Sequence, residues 1–294
     1  MYPVTELFGK EFNTYTLCAV VGIIASLIFA LTRSRSKIYK ISTSDVSFDI
    51  LSIIAGAVFG AKFFQIIGAV VTDGTTPGFW TLENLKSLIP GIGVFYGGLF
   101  GAFIGAYLYA RSVKINFSDL TDLLTPIAPL FHVFGRIGCF MAGCCYGKES
   151  EIFGIAFHCS NSAPNGVKLI PVQLIEAACN VLIFILLLTL KPERKKRGTA
   201  LPFYGICYAI CRFIIEFFRG DEHRGVFILS TSQWISVAVL IVCILVLRKL
   251  MKKKDAPAEN EEQPEDNIQI QNETQTQSDI SAGTDTQPGT ETTA

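Results

Sequence analysis

The chain has 294 residues, half of them hydrophobic, with 23 Phe and a formal net charge of zero. Apolar runs of about twenty residues recur along it, which excludes an ordinary soluble domain and leaves a polytopic membrane protein. The neutral charge conceals a partition: all ten acids from Asp255 onward lie in a tail without Lys or Arg, so residues 1–254 carry 25 basic and 15 acidic groups.

In chain order, the opening segment MYPVTELFGKEFNTY is polar. It has no basic n-region, and no small-residue cleavage site follows the next apolar run, so the first helix is expected to be retained. Membrane spans are expected at 14–32, 46–71, 92–110, 123–143, 171–190, 199–218 and 231–247, each long enough to cross a hydrocarbon core of roughly 30 Å. The expected fold is therefore all-α with seven transmembrane helices over residues 1–254. Residues 255–294, rich in Glu, Gln, Thr, Asp and Pro, have almost nothing to bury and are expected to form a disordered acidic tail.

Basic residues set the orientation. Loops on one side carry sixteen, in the groups Arg33 to Lys40, Arg111 and Lys114, Lys191 to Arg197 and Arg248 to Lys254; the other side carries six, Lys10, Lys86, Lys148, Lys168, Arg219 and Arg224. The positive-inside rule then places the N-terminus outside and the tail in the cytoplasm.

Three basic residues remain inside the spans: Lys62, Arg136 and Arg212. A centred charge costs roughly 2.5 to 3.5 kcal/mol on insertion scales, so each needs a partner or a purpose. Lys62 is expected to snorkel or to pair with Asp49 or Glu83. Arg212, Glu216 and Arg219 are spaced i, i+4, i+7, one stripe on a helix, and an Arg212–Glu216 ion pair is the simplest use of them. One carboxylate does not neutralise three guanidiniums, so the excess points to an anion site, for which the planar fork of Arg suits phosphate.

Gly93, Gly97, Gly101 and Gly105 recur every four residues in the third span and favour close helix packing; Tyr96 and the Gly97–Gly98 pair also offer a lipid headgroup access to backbone. Gly135 and Gly138 make room around Arg136. Asp122 is placed to favour the N-terminus of the fourth helix. Gln173 and Glu176 share a face of the fifth, where Glu176 is one counter-ion available to Arg136. His132, one turn before Arg136, fits an interhelical hydrogen bond and is a second candidate base.

The ordered blocks TYTLCAVVG, YGGLFG, SDLTDLLTPIAPL, GRIGCFMAGCCYGK, PVQLIE and YAICRFIIEFFRGDE resemble the bacterial prolipoprotein diacylglyceryl transferase family over roughly residues 12–254. The resemblance implies a multi-pass enzyme of the bacterial inner membrane, without a cofactor or metal. It would move the diacylglyceryl group of phosphatidylglycerol to the lipobox cysteine thiol of a prolipoprotein; its partners would be that lipid, the precursors and membrane lipid, with no nucleic acid. By motif position it implies Arg136 as a phosphatidylglycerol ligand, together with Arg212, Glu216, Arg219 and Tyr15, and Gly147 closing the central block. The catalytic candidates are Arg136, Arg212 and Tyr96; the substrate-site candidates are Arg136, Arg212, Arg219, Glu216, Tyr15, Gly97, Gly98, Gly138 and Gln173. Departures from the family pattern are Tyr96 at the usual His, Cys139 at the usual Asn, and Ala142 and Cys144 at a later Asn and Glu.

Arg136 and Arg212 would stabilise charge growing on a departing phosphate. The incoming thiol, with a reference pKa of about 8.5, needs a base or a positive field, and Tyr96, at about 10, is a poor base at neutral pH. Activation is therefore assigned to the arginine field or to Glu216. Two other readings stand beside this one: a binder or transporter of anionic phospholipid without transferase activity, and a membrane thiol or metal protein using Cys139, Cys144 and Cys145. A disulfide from Cys144 or Cys145 to Cys159 is a further possibility on an oxidising face.

Overall fold

The computed structural model describes residues 3–7, 9–35, 39, 41–74, 80–81, 94–160, 162–190, 197–220, 225–226 and 228–252. The expected tail at 255–294, the partner Glu83 proposed for Lys62, and Gly93 lie outside the described residues. The described residues belong to one compact unit, Met1–Lys252.

A short hairpin, β1 (Val4–Leu7) with β2 (Lys10–Asn13), precedes α1 (Thr14–Ser34). Asn13 Oδ1 accepts the Tyr15 backbone N–H at 2.9 Å and so starts that helix at the polar-to-apolar change. α2 (Thr43–Asp73) is capped in the same way by Ser42, and α3 (Phe95–Ser112) follows. The fourth predicted span is broken into α4 (Phe117–Leu124) and α5 (Ile127–Ala142), because Pro126 interrupts the backbone ladder between them. α6 (Val172–Thr189), α7 (Ala200–Ile215) and α8 (Thr231–Lys252) complete the helices. The hairpins β3 (Ile155–Ala156) with β4 (Lys168–Leu169) and β5 (Gly225–Val226) with β6 (Leu229–Ser230) join the helix ends, so the fold is mostly helical with small strands only at its margins.

Among the described residues, six stretches are long and apolar enough to cross a membrane: Thr14–Ser34, Thr43–Thr72, Phe117–Ala142, Val172–Thr189, Ala200–Phe218 and Thr231–Lys252. Their apolar side chains point outward, Phe59 of α2 being 72% exposed, which suits hydrocarbon rather than water as the surrounding medium. α3, at the third expected span, has 18 residues and is not among the six.

Packing follows the small residues. α3 lies along α2 so closely that a Cβ on Gly97 would meet Gly60 O at 2.6 Å and Phe64 Cβ at 2.7 Å, and Gly101 and Gly105 make similar contacts with Gly56 and Ser52 backbone. Ser52 Oγ donates to Gly105 O at 3.0 Å across the same seam, which gives the glycine stripe its packing role. On the other side of the fold α1 packs on α5, α5 on α6, α6 on α7 and α7 on α8. Asp122 caps a helix other than its own: its buried carboxylate accepts from the backbone N–H groups of Gly198 at 2.9 Å and Ala200 at 2.8 Å, at the start of α7. Lys62 donates to Gln65 Oε1 at 3.2 Å, and both carboxylate oxygens of Asp49 are buried without a hydrogen bond, so the expected Lys62–Asp49 pair does not form.

Candidate active site

Alternation of helix direction brings the start of α1, the second half of α5, the first turns of α6, the end of α7 and the start of α8 to one face of the molecule. Glu176, in the second turn of α6 and 1% exposed, is the centre of that face. Its Oε1 lies 2.9 Å from Arg136 Nη2, and its Oε2 accepts from Arg212 Nη1 at 3.3 Å. Arg212 Nη2 is 2.9 Å from Glu216 Oε2 and also donates to Ser232 Oγ of α8 at 3.3 Å. Tyr208 Oη donates to Glu176 Oε1 at 3.5 Å, and His132 Nε2 stands 3.8 Å from the same oxygen. The His132 and Tyr208 rings lie 5.3 Å apart, so His132 is held by ring contact and proximity to a carboxylate rather than by the expected close hydrogen bond.

Two guanidiniums from two helices thus share one carboxylate. Separating three such charges from water is tolerable only because each meets an opposite charge or a donor at short range. Arg136 Nε is buried without an acceptor among the described residues, and Gln173 Oε1 and Asn180 Oδ1 are buried without donors. The same side chains are otherwise anchored: Asn180 Nδ2 donates to Glu176 O at 2.8 Å and Gln173 Nε2 to Cys144 O at 2.7 Å.

The loop after α5 is fastened to this centre. Gly143 ends the helix with φ +74°, and Ser160 Oγ donates to its carbonyl at 3.1 Å, leaving no space there for a Cβ. Cys144 N–H then returns to Cys139 O at 3.1 Å, and Cys145 takes a left-handed φ of 60°. Gly147 N–H donates to Ile170 O at 3.0 Å, Lys148 N–H to Phe218 O at 2.8 Å and Gly220 N–H to Tyr146 O at 3.1 Å, which ties three chain segments together where Gly147 and Arg219 pair. A Cβ at Gly147 would sit 2.9 Å from Phe218 O, so the close approach requires glycine. The Cys145 thiol is held below its ordinary range, chiefly by the adjacent Cys139 and Cys144 thiols, with the Arg219 guanidinium adding to the effect.

Among the residues singled out in the sequence, Arg136, Arg212 and Glu216 form one network linked through Glu176, whereas Gln173 is fastened to the Cys144 carbonyl of the loop after α5. Gly138 packs directly on α1, where a Cβ would meet Tyr15 Cδ2 at 3.1 Å, which brings Tyr15 within electrostatic reach of Arg136. Arg219 departs from the expected helical stripe. α7 ends at Ile215, a 3-10 turn covers Glu216–Phe218, and Arg219 is extended with ψ 140°, so its buried side chain turns to Cys145 instead of continuing the face of Arg212. Tyr96, Gly97 and Gly98 stand at the start of α3, whose main neighbour is α2; Gly97 is filled by that packing and Tyr96 is 45% exposed. The nine cysteines are free thiols, so the pairing of Cys144 or Cys145 with Cys159 is not formed. Glu176 was legible as one counter-ion, but its hold on both arginines was not; Tyr208 and Ser232 gave no signal beyond being polar groups in apolar runs.

A helical membrane protein with a buried, arginine-rich centre shared by several helices is a class suited to anionic lipid. The family model described as prolipoprotein diacylglyceryl transferase matches residues 3–248. The chain is 36% identical over 249 residues to a phosphatidylglycerol–prolipoprotein diacylglyceryl transferase of Clostridium tetani, covering 84% of this chain and 96% of that one. It is 34% identical over 258 residues to the second such transferase of Clostridium perfringens (85% and 96%), and 32% identical over 240 residues to that of Rickettsia felis (78% and 88%). The chain belongs to the prolipoprotein diacylglyceryl transferase family.

Proposed function

We propose that this protein transfers the diacylglyceryl group of phosphatidylglycerol to the lipobox cysteine thiol of prolipoproteins. The observation that carries the reading is the meeting of Arg136 and Arg212 over Glu176, inside the membrane-spanning part of a chain that matches the family over residues 3–248. A lipid phosphate entering this centre would be received by guanidinium edges already oriented by Glu176, Glu216 and Ser232. In the reaction the thiol loses its proton, a sulfur–carbon bond forms at C3 of the diacylglyceryl unit, the carbon–oxygen bond to phosphate breaks, and glycerol phosphate leaves with the electron pair. Charge grows on the phosphate oxygens as that bond lengthens, so donors fixed in a water-poor setting act most strongly in the transition state. Glu216 is engaged by Arg212 at 2.9 Å, which favours the guanidinium field over that carboxylate as the source of thiol activation.

The remaining assignments belong to the same proposal. Arg136, Arg212 and Tyr96 are the catalytic candidates; Arg219, Glu216, Tyr15, Gly97, Gly98, Gly138 and Gln173 complete the substrate path. The chain crosses a bacterial cytoplasmic membrane seven times, α3 supplying the span beyond the six long helices, with its N-terminus outside. Purified protein, phosphatidylglycerol vesicles and a lipobox peptide test the reading. The peptide should gain one diacylglyceryl mass, Arg136→Ala should slow the gain by roughly 100- to 1,000-fold, and Tyr96→Phe should alter its pH profile if the hydroxyl moves a proton. Lipid binding without any mass gain would replace the transferase with a lipid binder.

A further inference from the structure

Beside the arginine centre lies a second cluster that the transfer reaction does not use. Cys139 ends α5, and Cys144 and Cys145 follow it across the left-handed turn at Gly143; the three Sγ atoms all lie within 4.8 Å of one another. They are the described residues' one group of three metal-ligating side chains so close. Sulfur atoms around a single ion with metal–sulfur bonds of about 2.3 Å stand about 4 Å apart, so side-chain adjustments of less than about 1 Å close the ring.

The backbone holds the thiols in place rather than leaving them to chance. Cys144 N–H is bonded to Cys139 O, Gln173 fixes the Cys144 carbonyl at 2.7 Å, and Cys145 is held at φ 60°, a conformation that a residue with a Cβ seldom adopts. The effect of that turn is to send two neighbouring thiols, which in an extended chain would point apart, toward the same side as Cys139. The three thiols face one another across the turn, the Cys144 Sγ approaching Cys139 O at 3.7 Å, and Cys145 lies within electrostatic reach of the Arg219 guanidinium. Arg136 is within electrostatic reach of Cys139 and Cys145. A three-thiolate complex of a monovalent or divalent ion is anionic, and its counter-charges are therefore already adjacent.

We propose that Cys139, Cys144 and Cys145 bind one thiophilic d10 cation, Cu(I) or Zn(II), as a three-sulfur site beside the lipid-phosphate centre. Soft thiolates select such ions over hard ones. Trigonal sulfur ligation satisfies Cu(I) alone, whereas Zn(II) would keep a fourth, non-protein ligand. On binding, three sulfur–metal bonds form and the thiol protons pass to solvent, with no change in oxidation state.

The test uses the full chain, reduced in detergent micelles and freed of metal under anaerobic conditions. Cu(I) buffered by a chromophoric chelator and, separately, Zn(II) are titrated against it, and bound metal is counted per chain. One equivalent of either ion is expected, the preferred ion identifying the occupant. Affinity should fall in Cys139→Ser, Cys144→Ser and Cys145→Ser by at least the roughly 10–100-fold that loss of even a supporting partner costs, and should persist in Cys159→Ser. A readout that needs no variant is protection of wild-type Cys139, Cys144 and Cys145 from maleimide by the metal, mapped by peptide mass, while exposed Cys159 still reacts. Absence of stoichiometric binding, retention of it by the triple serine variant, or labelling of the three thiols at the same rate with and without metal would overturn the proposal. So would a protein purified without reductant whose mass lacks two hydrogens through a disulfide within the trio. Because metal is counted without lipid or peptide, failure here is separate from failure of the transferase reading.

Discussion

At the scale of single residues, replacing Glu176 with Gln would keep the shape of the centre and remove the charge that Arg136 and Arg212 share. Two buried guanidiniums would then face each other with only Glu216 to compensate them. Removing one partner of a buried ion pair costs about 3–5 kcal/mol, so Glu176→Gln should unfold several degrees below the wild type in a detergent thermal melt and should lose transfer activity with it. An unchanged melting temperature would mean that the arginines are not held by Glu176. Arg136→Lys should fail to rescue Arg136→Ala in the same transfer assay, because an ammonium cannot direct one edge to Glu176 Oε1 and leave another facing the lipid. That one carboxylate, Glu176, would meet both arginines could not be chosen from the sequence. The apolar runs place Arg136, Arg212, Glu176 and Glu216 in helices, but which pairs meet depends on how α5, α6 and α7 cross. The i, i+4 spacing did identify Arg212 with Glu216, since that pair is local, joining the last turn of α7 to the residue that caps it.

At the scale of elements, the α2–α3 pair is the clearest case of structure written in spacing. Gly97, Gly101 and Gly105 recur at four-residue intervals, and each faces backbone of α2 across a distance that admits no side chain. Gly101→Leu should therefore separate the two helices and lower the yield of folded protein on size exclusion in detergent, whereas the same change at Gly68, where a Cβ meets nothing within 4 Å, should be tolerated. Equal yields would place the packing elsewhere. The broken fourth span was less legible. Pro126 is visible in TPIAPL, yet the apolar content runs on through it, and only the resumed hydrogen-bonding at Ile127 shows that the chain continues as a second helix. Arg219 was misplaced for a related reason: the stripe assumed an α-helix through residue 219, whereas the backbone tightens at Glu216 so that Phe218 O and Gly220 N–H can serve the loop after α5. Cys139, Cys144 and Cys145 were legible as a candidate thiol group, but spacings of five and one residues imply that the three meet only once the turn at Gly143 is known.

At the scale of the whole molecule, composition alone identified a membrane protein, since no soluble core explains so many exposed Phe, Leu, Ile and Val side chains on long helices. The distribution of Lys and Arg predicts an outside N-terminus and an inside C-terminus. Reporter fusions should therefore be active only in the cytoplasm after residue 252 and only outside when joined at the N-terminus, and both ends reporting from one compartment would require an even number of spans. The centre formed by Arg136, Glu176 and Arg212, with Tyr15 beside it, would then face the outer leaflet, where exported precursors arrive.

The central claim is that Arg136 and Arg212 act together on one lipid phosphate. A double-mutant cycle on kcat/KM for phosphatidylglycerol, using Arg136→Gln, Arg212→Gln and the combined variant, addresses it most directly. If both guanidiniums hold the same phosphate, each single change should remove most of the rate and the second should add little. Losses that multiply, as for independent sites, would contradict the account.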